Sequence, residues 1–195
     1  MPLRIEPLDR SHRPLLADFQ NPCPGLVDYL RRYALRHAEK DLLARTYVAI
    51  DSGTGMPRLA GYFSLTTVSV ERGSLAPLPD LNRLPRFPIP GILLARLAVD
   101  TRIRGQGLGR YLFEEALGLT LQLAQNGPVA FRLFVTDALD AEAQSFYAHF
   151  GCAPLSEGFP CRMVLDLRPL LWGQTEPDTR TAAGGSDDSS IQPIG

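Results

Sequence analysis

Residues 91–110, GILLARLAVDTRIRGQGLGR, run an apolar stretch of strand length into three glycines at alternate positions. An amphipathic helical pattern follows directly. An apolar run without alternation fits a central strand covered on both faces. Glycine is costly inside a strand or a helix, so Gly105, Gly107 and Gly109 mark a turn that needs bare backbone. The first N–H groups of a helix lack intrahelical partners, and the helix dipole adds positive charge there. The turn therefore suits a phosphate or pyrophosphate. A P-loop would need G-x-x-x-x-G-K-[ST], and no lysine stands here; a dinucleotide fingerprint would need G-x-G-x-x-G, whereas this turn is G-x-G-x-G. The plainer reading is a tight turn with no ligand. Against it, Arg104 and Arg110 at the two ends would repel without an anion between them.

The rest of the chain supplies layers for that strand. Leu3–Pro7 is an opening strand, and residues 14–20 and 26–38 are helices. In the second helix Leu26, Tyr29, Leu30, Tyr33, Ala34 and His37 share a face. Residues 44–51 and 59–70 read as strands joined by SGTGMP, hence a hairpin. Residues 71–90 form a long proline-rich connection with a short helix expected around 78–84, and loops of that length are often functional. Helix 107–125 carries Leu108, Leu112, Ala116, Leu119 and Leu123 on one stripe. A strand over 129–138, a helix over 140–150 opened by Asp140 as N-cap, and a strand over 162–167 complete the domain. The order predicts an α/β (α+β) domain, residues 1–172, around one mixed and largely antiparallel sheet. Residues 173–195 have few apolar residues and many Gly, Ser and Asp, the composition of a disordered tail.

Charge and cysteine content narrow the function classes. Net charge is -1 overall, but up to Trp172 the chain holds 19 basic and 17 acidic residues. That excess implies nucleic-acid binding only if the cations cluster on one face. Three cysteines without zinc-like spacing argue against a disulfide framework and against a metal site. With no apolar run of membrane-spanning length and no apolar segment near Met1, the expected location is the cytoplasm.

Arg104-x-x-Gly107-x-Gly109 resembles the R/Q-x-x-G-x-G/A signature of the GNAT (Gcn5-related) N-acetyltransferases. LARLAVD before it, and DAEAQSFYAHFGCAPL (140–155) after it, resemble the flanking strand and the tyrosine-bearing helix of that family. The resemblance implies a GNAT-like sheet with a V-shaped splay between two parallel central strands, the neighbour being Phe131–Val135. It implies acetyl-CoA as co-substrate, its pyrophosphate held by Arg104, Gly105, Gln106, Gly107, Leu108, Gly109 and Arg110, and its pantetheine arm along Leu97, Ala98 and Val99. A backbone N–H near Val99 would polarise the acetyl carbonyl. Tyr147 would be the general acid that meets the leaving thiolate, its ordinary pKa of ~10 leaving it protonated at neutral pH. Spacing alone favours reading Tyr147 as a core tyrosine on a short amphipathic helix. No general base stands out: Glu71 is a candidate, but reads more simply as a surface residue at a strand end.

A narrower similarity concerns the acceptor. FQNPCPGLVDYLRRYALRH, the proline-rich run before the central strand, and DALDAEAQSFY look like the GNAT-type toxins of bacterial toxin–antitoxin pairs, which acetylate the α-amine of aminoacyl-tRNA. That similarity implies tRNA phosphate contacts from Arg31, Arg32, Arg36 and Arg45, with Arg83 and Arg86 contributing. It also implies a ribbon-helix-helix antitoxin as partner and a homodimer. The alternative for the same arginines is a solvated helix face with an Asp28–Arg32 i, i+4 pair. Two further readings stay open: a GNAT enzyme for a small amine or a protein N-terminus, and a coenzyme A-binding module without turnover.

Overall fold

The computed structural model describes residues 3–53, 55–75, 78, 81 and 87–173. Strands β1 (Leu3–Pro7), β2 (Arg45–Asp51), β3 (Arg58–Val70), β4 (Ile89–Val99), β5 (Leu133–Ala138), β6 (Ala153–Pro154) and β7 (Cys161–Asp166) form one sheet in the order β1-β2-β3-β4-β5-β7-β6. Only β4 and β5 pair in parallel. The mixed, largely antiparallel sheet expected from the element order is therefore what forms. The short helix expected at 78–84, Arg83, Arg86 and the tail 174–195 lie outside the described residues, apart from Leu78 and Leu81.

Helices cover both faces of β4, as its unbroken apolar run predicts. On one face lie α1 (Arg13–Leu16), α2 (Pro24–Asp28), a π-helical turn (Tyr29–Tyr33) and α3 (Ala34–Glu39). Their Leu16, Tyr29, Leu30 and Ala34 bury with Val48, Ile50, Leu59, Tyr62 and Ala98 of the sheet. On the other face α4 (Leu108–Asn126) and α5 (Ala141–His149) bury Leu112, Phe113, Ala116 and Tyr147 against Phe63, Phe134, Ala138 and Met163. A third cluster joins Leu75 and Leu81 of the proline-rich connection to Leu133, Val135 and Val164. Leu75, Leu78 and Leu81 thus pack on the β5–β7 half of the face whose other half carries α1–α3.

Several elements depart from the sequence pattern for physical reasons. The helix expected at 14–20 stops at Leu16, because the chain turns so that the Gln20 N–H can donate to Asp100 Oδ2 at 3.0 Å. The π turn inserts a residue into the helix expected at 26–38 and rotates the buried stripe. Tyr33 is consequently exposed, and Ala38 takes up the buried face. In α4, Thr120 is buried by donating its hydroxyl to the Ala116 carbonyl, whereas Leu123 is exposed. The strand expected over 129–138 begins only at Leu133; before it, the Arg132 N–H reaches the Pro90 carbonyl at 2.9 Å. The short β6 and the final helix α6 (Arg168–Trp172) have no clear periodic signal in the sequence.

Candidate active site

The site begins with a fault in strand pairing. Across β3 and β4, Ser64 faces Arg96 but Leu65 faces Leu94, so Ala95 is a bulge without an opposite residue. A bulge bends its strand and increases the local twist. On the other edge, β4 pairs with β5 only from Gly91–Leu133 to Leu94–Thr136. Beyond that point β4 runs on to Val99 against β3 alone, and β5 runs on to Ala138 against β7 alone. The two central strands therefore part at the bulge. Leu97, Ala98 and Val99 lie on the open edge. The expected partner segment needs correction: Leu133–Val135 form the closed end of the V, and the diverging residues are Asp137 and Ala138.

Tyr147 reaches the apex of this V. Asp140 caps α5 by accepting the Ala143 N–H at 2.8 Å. The Tyr147 ring is fixed against Phe113 (5.7 Å) and Phe146 (5.2 Å), and Phe113 stacks on Phe150 at 4.2 Å. Its neighbour Thr136, which hydrogen-bonds it, is the last β5 residue paired to β4 and approaches the Leu94 carbonyl at 3.3 Å. Burial pushes the Tyr147 pKa above the ordinary tyrosine range; the Thr136 hydroxyl opposes this, and Cys152, Asp137 and Asp140 add to it. The phenol is therefore a proton donor throughout neutral pH. The adjacent Cys152 thiol is pushed up to about 12 by burial, so it stays neutral and is no nucleophile.

The glycine turn has the form of an anion cradle. Gly105 and Gly107 have φ of 80° and 78°, and Gly107 is the N-cap of α4 without a side-chain cap. Arg104, Gly105, Gln106 and Gly107 are exposed. A cavity of about 240 Å³ opens beside them, lined by Leu3, Ile103, Gln106, Gly107, Leu108 and Tyr111. One premise changes: Arg110 is compensated by Glu114 at 2.7 Å, so the repulsion argued from two bare arginines does not hold. Uncapped backbone N–H groups and left-handed glycines carry the anion reading instead.

An anchor that no sequence signal announces fixes this turn. Asp100 is 2% exposed and receives Arg102, which also binds Asp18 at 2.8 Å. Burial alone would raise the Asp100 pKa, but hydrogen bonds from the Arg102 side chain and from the Arg102 and Gln20 N–H groups outweigh it and hold it below its usual value. Asn21 adds a bond from its amide to the Val99 carbonyl at 2.9 Å. The loop after α1 is thereby tied to the end of β4.

The arginines expected on the acceptor side separate into different roles. Arg31 donates to the carbonyls of Leu16, Ala17 and Phe19, so its guanidinium largely closes α1. Arg32 and Arg36 are exposed beside Asp28 (3.6 Å) and Asp41 (2.9 Å), so the expected Asp28–Arg32 pair is present. Arg45 lies on the opposite face of the sheet: along β2 it shares a side with Tyr47 and Ala49, which pack with α4, whereas Thr46 meets Tyr29. In place of Arg45, Arg10, Arg13 and Lys40 join Arg31, Arg32 and Arg36 around a surface cavity of about 470 Å³, with Glu39 as its acidic member. Sequence reasoning missed these three because they come from separate segments. Glu71 is exposed and follows Val70, which pairs with Ile89 at the far end of β4 from the glycine turn. No group of three metal-ligating side chains occurs among the described residues, and no helix there is long and apolar enough to cross a membrane.

Residues 44–151 match a family model described as the acetyltransferase (GNAT) domain. A tRNA-acetylating toxin of Mycobacterium tuberculosis (strain ATCC 25618 / H37Rv) is 36% identical over 160 residues, covering 80% of this chain and 90% of the relative. Among solved structures, AtaT complexed with acetyl-methionyl-tRNAfMet superposes with a TM-score of 0.75 at 23% identity, over 86% of this chain and 96% of that one. A Tyr-to-Phe mutant of AtaT, bound to acetyl-CoA and the C-terminus of the antitoxin AtaR, gives 0.67 at 23% identity, over 89% and 100%. At such identity these two likenesses speak for the fold.

Proposed function

The chain belongs to the GNAT acetyltransferase family, and from that membership we propose that it transfers the acetyl group of acetyl-CoA to the α-amine of aminoacyl-tRNA, acting as a toxin on translation. The opening of β4 from β5 at Leu94 and Thr136, with Tyr147 at the apex, is the observation that carries the chemistry. Gly105–Arg110 would hold the pyrophosphate on backbone N–H groups, and the open edge of β4 would pair with the pantetheine arm. The deprotonated amine attacks the thioester carbonyl, a C–N bond forms, the C–S bond breaks, and Tyr147 gives its proton to the departing sulfur, while the nitrogen sheds its extra proton to water and Tyr147 is reprotonated from solvent. Val99 lies four residues beyond Ala95, roughly 13 Å along an extended strand. The N–H that polarises the acetyl carbonyl therefore belongs nearer the bulge than Val99.

The acceptor reading is supported by the basic cavity. Arg10, Arg13, Arg31, Arg32, Arg36 and Lys40 stand with Asp28, Glu39 and Asp41 nearby, a local excess of cations on the α1–α3 face. Clustering on one face was the condition for reading a nearly neutral chain as a tRNA binder. An antitoxin and a second copy of the chain belong to the same reading.

Incubation with acetyl-CoA and charged tRNA, deacylated tRNA, a polyamine or a peptide tests it. The expected product is N-acetyl-aminoacyl-tRNA from the charged tRNA alone. Acetylated polyamine or peptide, with charged tRNA untouched, would overturn the acceptor while leaving the acetyltransferase chemistry intact.

A further inference from the structure

Arg96 is the first residue after the Ala95 bulge, and its side chain lies on the α1–α3 face. Its guanidinium carbon sits 3.7 Å from the centroid of the Tyr29 ring. Arg58, Arg132 and Arg162, which are also partly buried, each face a carboxylate. Arg96 is half-buried too, yet its guanidinium has no hydrogen bond and no ion pair with the described residues. A guanidinium held over a ring in this way and bound to no carboxylate keeps N–H donors for a further partner, and its fork matches a phosphate.

The platform beneath it is rigid. Tyr29 is 3% exposed, stacks on Tyr62 at 6.3 Å, and has its hydroxyl 3.3 Å from Thr46 Oγ1. Tyr62 in turn donates its hydroxyl to the Leu26 carbonyl at 2.7 Å. The position is equally defined. Arg96 stands two residues from Leu94, whose β5 partner Thr136 adjoins Tyr147. Tyr147 approaches the slot from the α4–α5 face, which also carries the glycine turn. That leaves the α1–α3 face, on which Arg96 lies, for an acceptor.

We propose that Arg96 binds the phosphate nearest the acceptor amine, the phosphodiester that precedes the terminal aminoacylated nucleotide. This rests on the aminoacyl-tRNA reading and deepens it. The basic cavity serves the more distant backbone, whereas Arg96 sets the depth at which the amine meets the acetyl group. It is a substrate-binding residue and takes no proton.

The test compares two acceptors, charged tRNA and aminoacyl-adenosine, which carries the same ester but no preceding phosphate. With Arg96→Gln, the KM for charged tRNA should rise tenfold or more beyond any change seen with aminoacyl-adenosine. Arg96→Lys, which keeps the charge but not the fork, should fall between wild type and Arg96→Gln, and guards against a misfolded glutamine variant. Equal penalties on both acceptors, or none, would overturn the proposal and leave Arg96 as a staple between β4 and the Tyr29 turn. If the wild-type protein acetylates neither acceptor, the function reading itself fails, an outcome visible before any variant is made.

Discussion

As the proposed general acid, Tyr147 would act by being kept protonated, and its surroundings favour that state. A buried phenol beside two carboxylates resists ionisation, so it is a donor at every neutral pH. Tyr147→Phe removes the proton and keeps the ring among Phe113, Phe146 and Phe150. Turnover should fall about 10²-fold or more, while stabilisation by acetyl-CoA in a thermal shift assay persists. An unchanged kcat would remove Tyr147 from the chemistry. Asp100 illustrates the opposite case, a carboxylate kept ionised. Its folded pKa lies below its unfolded one, so its contribution is present above about pH 4 and fades as pH falls through the folded value. Asp100→Asn should cost about 3 kcal/mol at pH 7, since it leaves Arg102 short of its buried partner. In denaturant titrations the gap between variant and wild type should close in acid. A gap that stayed constant to pH 2 would contradict the ion-pair account. Of the two residues only Tyr147 was legible in the sequence, through its motif; Asp100 depends on Asp18 and Gln20, some 80 positions away, which no local spacing reveals.

At the scale of elements, the decisive features are where pairing begins and ends. The glycine turn and the two-sided burial of β4 were legible, because each rests on local chemistry: three glycines, and an apolar run without alternation. The bulge at Ala95 and the end of β4–β5 pairing at Leu94 were not, since register depends on what the facing strand presents. The same limit explains the misplaced splay at Phe131–Val135 and the grouping of Arg45 with Arg31 as phosphate contacts. The closed end of the V depends on a close approach: a Cβ on Gly91 would stand 2.7 Å from the Leu133 carbonyl oxygen. Gly91→Ala should therefore cost roughly 1–3 kcal/mol and lower the Tm by several degrees. A variant as stable as wild type would mean that β4 and β5 are free to move apart there.

Across the whole molecule, the sheet would separate the two tasks of the proposed reaction. The α4–α5 face carries the glycine turn and Tyr147; the α1–α3 face gathers the cations and Arg96. The slot between β4 and β5 is where the faces communicate. Net charge is nearly silent about this, because 20 basic and 21 acidic residues cancel over the chain, whereas the cavity beside α1 and α3 collects six of the cations. Acetyl transfer through that slot to aminoacyl-tRNA has a direct readout in a cell-free translation system. Wild-type protein should arrest translation only when acetyl-CoA is supplied, with N-acetyl-aminoacyl-tRNA accumulating, and Tyr147→Phe should arrest far less. Arrest without acetyl-CoA, or no arrest while the charged tRNA remains unacetylated, would contradict it.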